Sequence, residues 1–283
     1  MTPFRLQTLL IIAFTQYVMR YAALMPLARA QGVELQLSDF AFFCLVISTI
    51  FIAAAGLINE RKKIATHIIL SGIGILPGVY AITEAGAPNL ILTFAATAIL
   101  LLLYLFVYKH HFLVGNIIVA LFFAIVPLMV LLDILPIYFV YGKMNVNLNF
   151  AMYWFAGVSL FIFLSVLSCE IIKDTEDFEN DNVTCDTRSF PFIMSAMYAK
   201  WTIIGINTAN IAIICLIYCL FLRNIAGLFS FFYLLLILII PILLINWKVH
   251  NAIIGNDYRL TGNLMKLVML AGVAYSGILW WYF

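Results

Sequence analysis

The chain has 283 residues; 65% are hydrophobic, only 10% are charged, and the formal net charge is +2. A soluble domain carries roughly 45–50% apolar and about 25% charged residues. The composition therefore excludes a disordered chain, a coiled coil and a water-soluble enzyme, because too few polar residues remain to cover a water-facing surface. The small net charge gives nucleic-acid binding no support, and the solvent implied for the fold is a lipid bilayer.

Unbroken apolar runs such as Phe40 to Ile58 and Leu228 to Ile245 read as spanning helices rather than the alternating strands of an outer-membrane barrel. In chain order the apolar segments fall at 6–28, 38–58, 66–84, 89–107, 112–133, 149–170, 197–221, 227–246 and 261–281. The expected fold is all-α, a multi-pass bundle of nine transmembrane helices forming one domain over residues 1–283. The five cysteines are an odd number; three lie within apolar runs (Cys44, Cys215, Cys219) and Cys169 ends one, so they imply no disulfide framework. No small-residue cleavage site follows the first apolar stretch, so no removable signal peptide is expected.

With nine spans and a cytoplasmic N-terminus, eleven Lys and Arg fall on the inside: Arg5, Arg61, Lys62, Lys63, Lys109, Lys173, Arg188, Lys200, Lys248, Arg259 and Lys266. Three fall outside, Arg29, Lys143 and Arg223, while Arg20 lies within the first span. The excess sets the orientation. It places the connections at 59–66, 108–112, 171–196 and 247–260 on one cytoplasmic face.

That face carries the chemistry. Seven of the thirteen acidic residues lie between positions 170 and 186: Glu170, Asp174, Glu176, Asp177, Glu179, Asp181 and Asp186. The bland reading is a solvated loop. The spacing argues otherwise: at about 100° per helical residue, Glu170, Asp174, Asp177 and Asp181 share one narrow face, and Glu176 and Glu179 lie on the other. Like charges one turn apart repel unless something neutralises them. Oxygen-only ligands without a nearby His favour Mg²⁺ over zinc, and the stripe, about 16 Å long, suits two ions rather than one.

The expected metal ligands are therefore Glu170, Asp174, Asp177 and Asp181, and Asp174, Asp177 and Asp181 are the candidate catalytic residues. Lys173 borders this face as an anion contact. Mg²⁺ at a membrane surface points to a phosphorylated lipid, because Mg²⁺ takes remaining ligands from substrate phosphates. An allylic diphosphate ionises more readily when metal and cations neutralise the leaving group, and an apolar interior keeps water from the carbocation.

The run Glu170-Ile-Ile-Lys173-Asp174-Thr-Glu176-Asp177-Phe-Glu179-Asn-Asp181 resembles the second aspartate motif, K-D-x-x-D-x-x-x-D, of the UbiA superfamily of intramembrane prenyltransferases. It looks most like the prokaryotic branch related to digeranylgeranylglyceryl phosphate synthase. Further stretches carry the likeness along the chain: Phe4-Arg5-Leu6, Thr15 to Tyr21, Ile52 to Gly56, Tyr104 with Lys109, Gly115 and Asn116, and Asn263 to Leu270. The resemblance implies nine spans, a Mg²⁺-dependent transfer of an isoprenyl group from a prenyl diphosphate to a small aromatic or glycerophosphate acceptor, and a role in lipid or quinone biosynthesis. It implies an integral protein of a bacterial inner membrane with active-site loops on the cytoplasmic side, surrounded by membrane lipid. Through it, Lys109, Arg188, Asn59 and Asn116 join Lys173 as expected substrate-binding residues.

The likeness breaks at the first aspartate motif, N-D-x-x-D-x-x-x-D, expected after Gly56. The chain reads Leu57-Ile58-Asn59-Glu60-Arg61-Lys62-Lys63 there, and no Asp occurs between Asp39 and Asp133. Smaller departures are Thr8 for Asn, Asn180 for Gly, and Arg188-Ser189-Phe190-Pro191 set one residue late. The alternative is thus a non-catalytic relative that binds polyprenyl diphosphate or a partner. A transporter fits less well, since it expects charges or broken helices within several spans. Arg20, one turn from Gln16, reads either as a pocket charge or as an arginine snorkelling to the outer interface, and Asp133 as an outer-loop charge.

Overall fold

The computed structural model describes residues 3–56, 64–86, 113–141, 148–180, 195–223, 227–252 and 255–279, and every regular element among them is helical. Helix α1 covers residues 3–30: Pro3–Tyr17, a π-helical stretch Val18–Leu24, then Met25–Ala30. It is followed by α2 (Asp39–Gly56) and α3 (Ile64–Glu84). Next come α4 (Val114–Val130, ending in a 3₁₀ turn Leu131–Asp133), the short α5 (Leu135–Tyr141) and α6 (Asn149–Asn180). Helix α7 is Ala196–Ile217 with a π-helical end Tyr218–Leu222. Helix α8 covers residues 227–251 as Gly227–Tyr233, a π-helical Leu234–Ile239 and Ile240–Asn251, and α9 is Gly255–Leu279.

Eight of the expected segments contain a long helix, and the fourth, 89–107, lies outside the described residues. Among the described residues five helices are long and apolar enough to cross a membrane: Gln7–Ala30, Val114–Asp133, Asn149–Glu179, Met197–Leu222 and Gly227–Asn251. Helices α2 and α3 carry shorter apolar stretches, Asp39–Ala55 and Ile68–Glu84. The apolar segment read from the sequence ends at residue 170, and the helix continues for ten residues beyond it. Nothing between Glu170 and Asn180 is Gly or Pro, and charged side chains on a solvated face do not end a helix. At 32 residues α6 is about 48 Å long, well beyond the roughly 30 Å hydrocarbon layer.

Helix α6 packs on α4, α7 and α9, and α1 packs on α2, α4 and α9. Helices α1, α4, α6 and α9 therefore form a closed ring, with α2 and α3 outside α1, and α7 and α8 outside α6 and α9. One buried cluster runs from Met19 on α1 to Tyr275 on α9. In lipid the apolar effect does not hold helices together, so small residues and interhelical hydrogen bonds carry that task. Gly272 lets α9 lie against the Phe161 ring of α6, where a Cβ would collide. Asn210 donates to Ser165 Oγ (2.9 Å), joining α7 to α6, and Asn207 donates to Asn246 Oδ1 (2.8 Å), joining α7 to α8.

Candidate functional site

Because α6 is one continuous helix through Asn180, the angular argument for the acidic stripe applies to real geometry. Taking Asp174 as 0°, Phe155, Ser159, Ile162 and Val166 fall at about −100°, −60°, −120° and −80°. All four are buried, between 0% and 6% exposed, so this arc faces packed neighbours rather than lipid. Tyr153 and Leu160, at about 60° and 40°, are among the exposed residues of the apolar surface. Glu170, Lys173 and Asp177, at about −40°, −100° and −60°, continue the interior arc. There Glu170 is partly exposed and Lys173 and Asp177 are exposed. The acidic stripe thus occupies the place where the inward face of α6 emerges from the packed bundle.

Asp174 sits at the edge of this arc, against α4. The Nδ2 of Asn116 donates to its Oδ2 at 2.8 Å. Asn116 lies in the first turn of α4, just after Leu113, whose φ of 55° turns the chain into the helix. Through Asn116, α4 therefore orients the Asp174 carboxylate. No described residue engages the other oxygen, Oδ1. Lys173 Nζ lies 3.9 Å from Glu170 Oε2, with the side chains 50% and 25% exposed, so this pair is loose.

Asp174 and Asp177 are one turn apart on α6. An all-oxygen pair of carboxylates, completed by waters and substrate phosphates, is what Mg²⁺ takes in most phosphate sites, so the donors present fit the ion in kind. Among the described residues no three His, Cys, Asp or Glu side chains form a metal-sized group. Asp181, Lys109, Arg188 and Asn59 lie outside the described residues. The sequence placed Asn116 among substrate contacts; its observed partner is Asp174.

The opposite end of α4 holds a second charged cluster. Arg20 is 1% exposed and Asp133 0%. Arg20 Nε bonds Asp133 Oδ2 at 2.9 Å and Nη1 bonds Asp39 Oδ1 at 3.0 Å. Its Nη2 donates to the Leu37 carbonyl at 2.6 Å, and its Cζ lies 4.4 Å from the centre of the Phe42 ring. Asp133 Oδ1 accepts the Leu37 backbone N–H at 2.8 Å. Arg20 therefore does not snorkel, and Asp133 is not a loop charge. Each neutralises the other inside the protein and together they pin the 31–38 connection between α1, α2 and α4. The available signal was two opposite charges, each stranded in an apolar stretch; charges at membrane depth pair.

Fold and site together define a helical membrane bundle with acidic side chains of α6 beside the start of α4, at one end of four packed helices. In structure the chain is similar to a solved structure described as bearing on the biosynthesis of digeranylgeranylglyceryl phosphate synthase in membranes, with a TM-score of 0.60 over 97% of this chain and 99% of that one, at 17% identity. The all-α membrane bundle expected from the sequence is the fold seen among the described residues, and that structure shares it. No family model matches the sequence, and no curated protein matches it.

Proposed function

We propose that the protein is a membrane prenyltransferase that moves an isoprenyl group from a prenyl diphosphate to an aromatic or glycerophosphate-type acceptor, with Mg²⁺ at Asp174 and Asp177. The observation that carries this reading is Asp174. It belongs to a full K-D-x-x-D-x-x-x-D motif, is held by Asn116 at the start of α4, and stands in a fold shared over 97% of the chain with the solved structure described for digeranylgeranylglyceryl phosphate synthase.

Asp174 and Asp177 hold the ion, with Glu170 and Asp181 in support, and Lys173, Lys109 and Arg188 meet the phosphates. Mg²⁺ supplies Lewis acidity toward the departing diphosphate oxygens. Asn116 keeps Asp174 in one rotamer, so the carboxylate needs no reorganisation when the substrate arrives. The apolar ring excludes water from the reacting carbon. The excess of Lys and Arg supports a cytoplasmic orientation for this end, the resemblance supports a bacterial inner membrane, and in this reading residues 1–283 act as one domain.

The test is product formation from allylic diphosphates in isolated membranes with Mg²⁺. Asp174→Asn and Asp177→Asn should each abolish it while the protein remains folded; full activity in both variants refutes the assigned roles. The missing first aspartate motif favours a second reading, a non-catalytic relative that binds polyprenyl diphosphate. Mg²⁺-dependent diphosphate binding with no product across a panel of donors and acceptors supports that reading, and clear product formation excludes it.

A further inference from the structure

We infer that the contact between α6 and α7 binds one internal water molecule, held by Ser168, Asn207 and Asn210 within two apolar spans. The site lies on the far side of α6 from the acidic stripe and does not depend on its chemistry. Ser165, Ser168, Asn207 and Asn210 are each 0% exposed. Asn210 Nδ2 donates to Ser165 Oγ at 2.9 Å, and Ser165 gives its own hydrogen to the Phe161 carbonyl at 2.8 Å. Those two bonds leave the Asn210 amide one orientation, with Oδ1 turned away from Ser165. Asn207 Nδ2 is taken by Asn246 of α8 at 2.8 Å. Among the described residues Asn207 Oδ1, Asn210 Oδ1 and Ser168 Oγ are buried and have no hydrogen-bond partner.

The helix register brings the three together. Asn210 stands opposite Ser165, and Ile217 stands opposite Gly157, so α6 and α7 run antiparallel. Asn207 is one turn from Asn210 toward the start of α7, and Ser168 is one turn from Ser165 toward the end of α6. These two therefore share one level. With Asp174 again at 0°, Gly157 and Ser165 fall at about 100° and 180°, and both face α7. Ser168, at about 120°, lies between them. It also forgoes the carbonyl four residues back that Ser165 and Thr175 take, so its hydroxyl turns from its own helix.

Lipid offers these groups no partner, and a polar atom left bare within a span is costly. Water suits all three. Its hydrogens meet the two amide oxygens, and its own oxygen accepts the Ser168 hydroxyl, giving about three bonds, the usual number for a buried water. None of the three groups carries charge, so together they do not offset the dehydration of a cation.

The direct test is a structure of the full chain in lipid, at a resolution that shows ordered water. One peak is expected, about 2.5–3.0 Å from Asn210 Oδ1 and from Ser168 Oγ or Asn207 Oδ1. A dry contact, a direct bond from Ser168 to either Asn, or a cation with shorter contacts overturns the inference. The second test is thermal unfolding in detergent of Ser168→Ala, Asn210→Ala and the double variant. Ser168 and Asn210 share no direct bond, so independent losses would add. A shared water is lost with the first replacement, and the double variant should then melt about 2–4 °C above the additive value. Additivity overturns the inference. If Asn210→Ala does not fold, the structure of the parent chain decides alone.

Discussion

The two ends of α4 treat charge in opposite ways. At one end Arg20, Asp133 and Asp39 are satisfied by one another and by the Leu37 backbone, and Arg20 and Asp133 are sealed from solvent. At the other, about 26 Å away along the helix, Asp174 has one hydrogen-bond partner among the described residues, Asn116, while Lys173 and Asp177 stand exposed. A closed charge network holds helices in place. Carboxylates left with spare oxygens at an opening are able to take a ligand. The same helix ties both ends together, so the rigid end sets the frame in which the open end works.

The comparison is broken most severely at the closed end. Arg20→Met should leave Asp133 buried without its partner and cost about 3–5 kcal/mol of stability, read as a large loss of folded protein in thermal denaturation. Arg20→Met combined with Asp133→Leu should recover much of that loss, because the orphaned charge is removed with its partner. A single replacement without effect on stability would show that the network carries no load.

At the open end the effects move from stability to activity. Asp174→Asn should lower prenyl transfer by about 100-fold or more and leave stability unchanged or raised by a few tenths of a kcal/mol, since it relieves repulsion along the stripe. Asn116→Ala should cost about 10-fold in activity or metal requirement, visible as a shift of the Mg²⁺ dependence to higher concentration; an unshifted curve would remove Asn116 from the site. The smallest effect is expected at the Glu170–Lys173 pair. Its separation and exposure limit its stability contribution to between about 0 and 1 kcal/mol, measurable by a double-mutant cycle.

The two ends also differed in how far the sequence disclosed them. The acidic stripe was legible because its residues are neighbours on one helix, and helical periodicity alone aligns Glu170, Asp174 and Asp177. The apolar segments were legible for a similar local reason, as lipid demands unbroken runs. Arg20 and Asp133 are 113 residues apart, and no local pattern joins them; only the packing of α1 on α4 does. Asn116 lies 58 residues from Asp174, and its Gly-Asn context marked it as functional without naming its partner. The length of α6 was underread because the apolar signal ends at Cys169 while the helix, free of breakers, continues.

The most direct test of the account is Mg²⁺-dependent transfer from labelled allylic diphosphates in membranes, comparing the parent chain with Asp174→Asn at matched amounts of folded protein. The account predicts product from the parent chain, loss of product on chelation, and at least about a 100-fold loss in the variant. Equal product from both proteins, or product that persists in chelator, would contradict it.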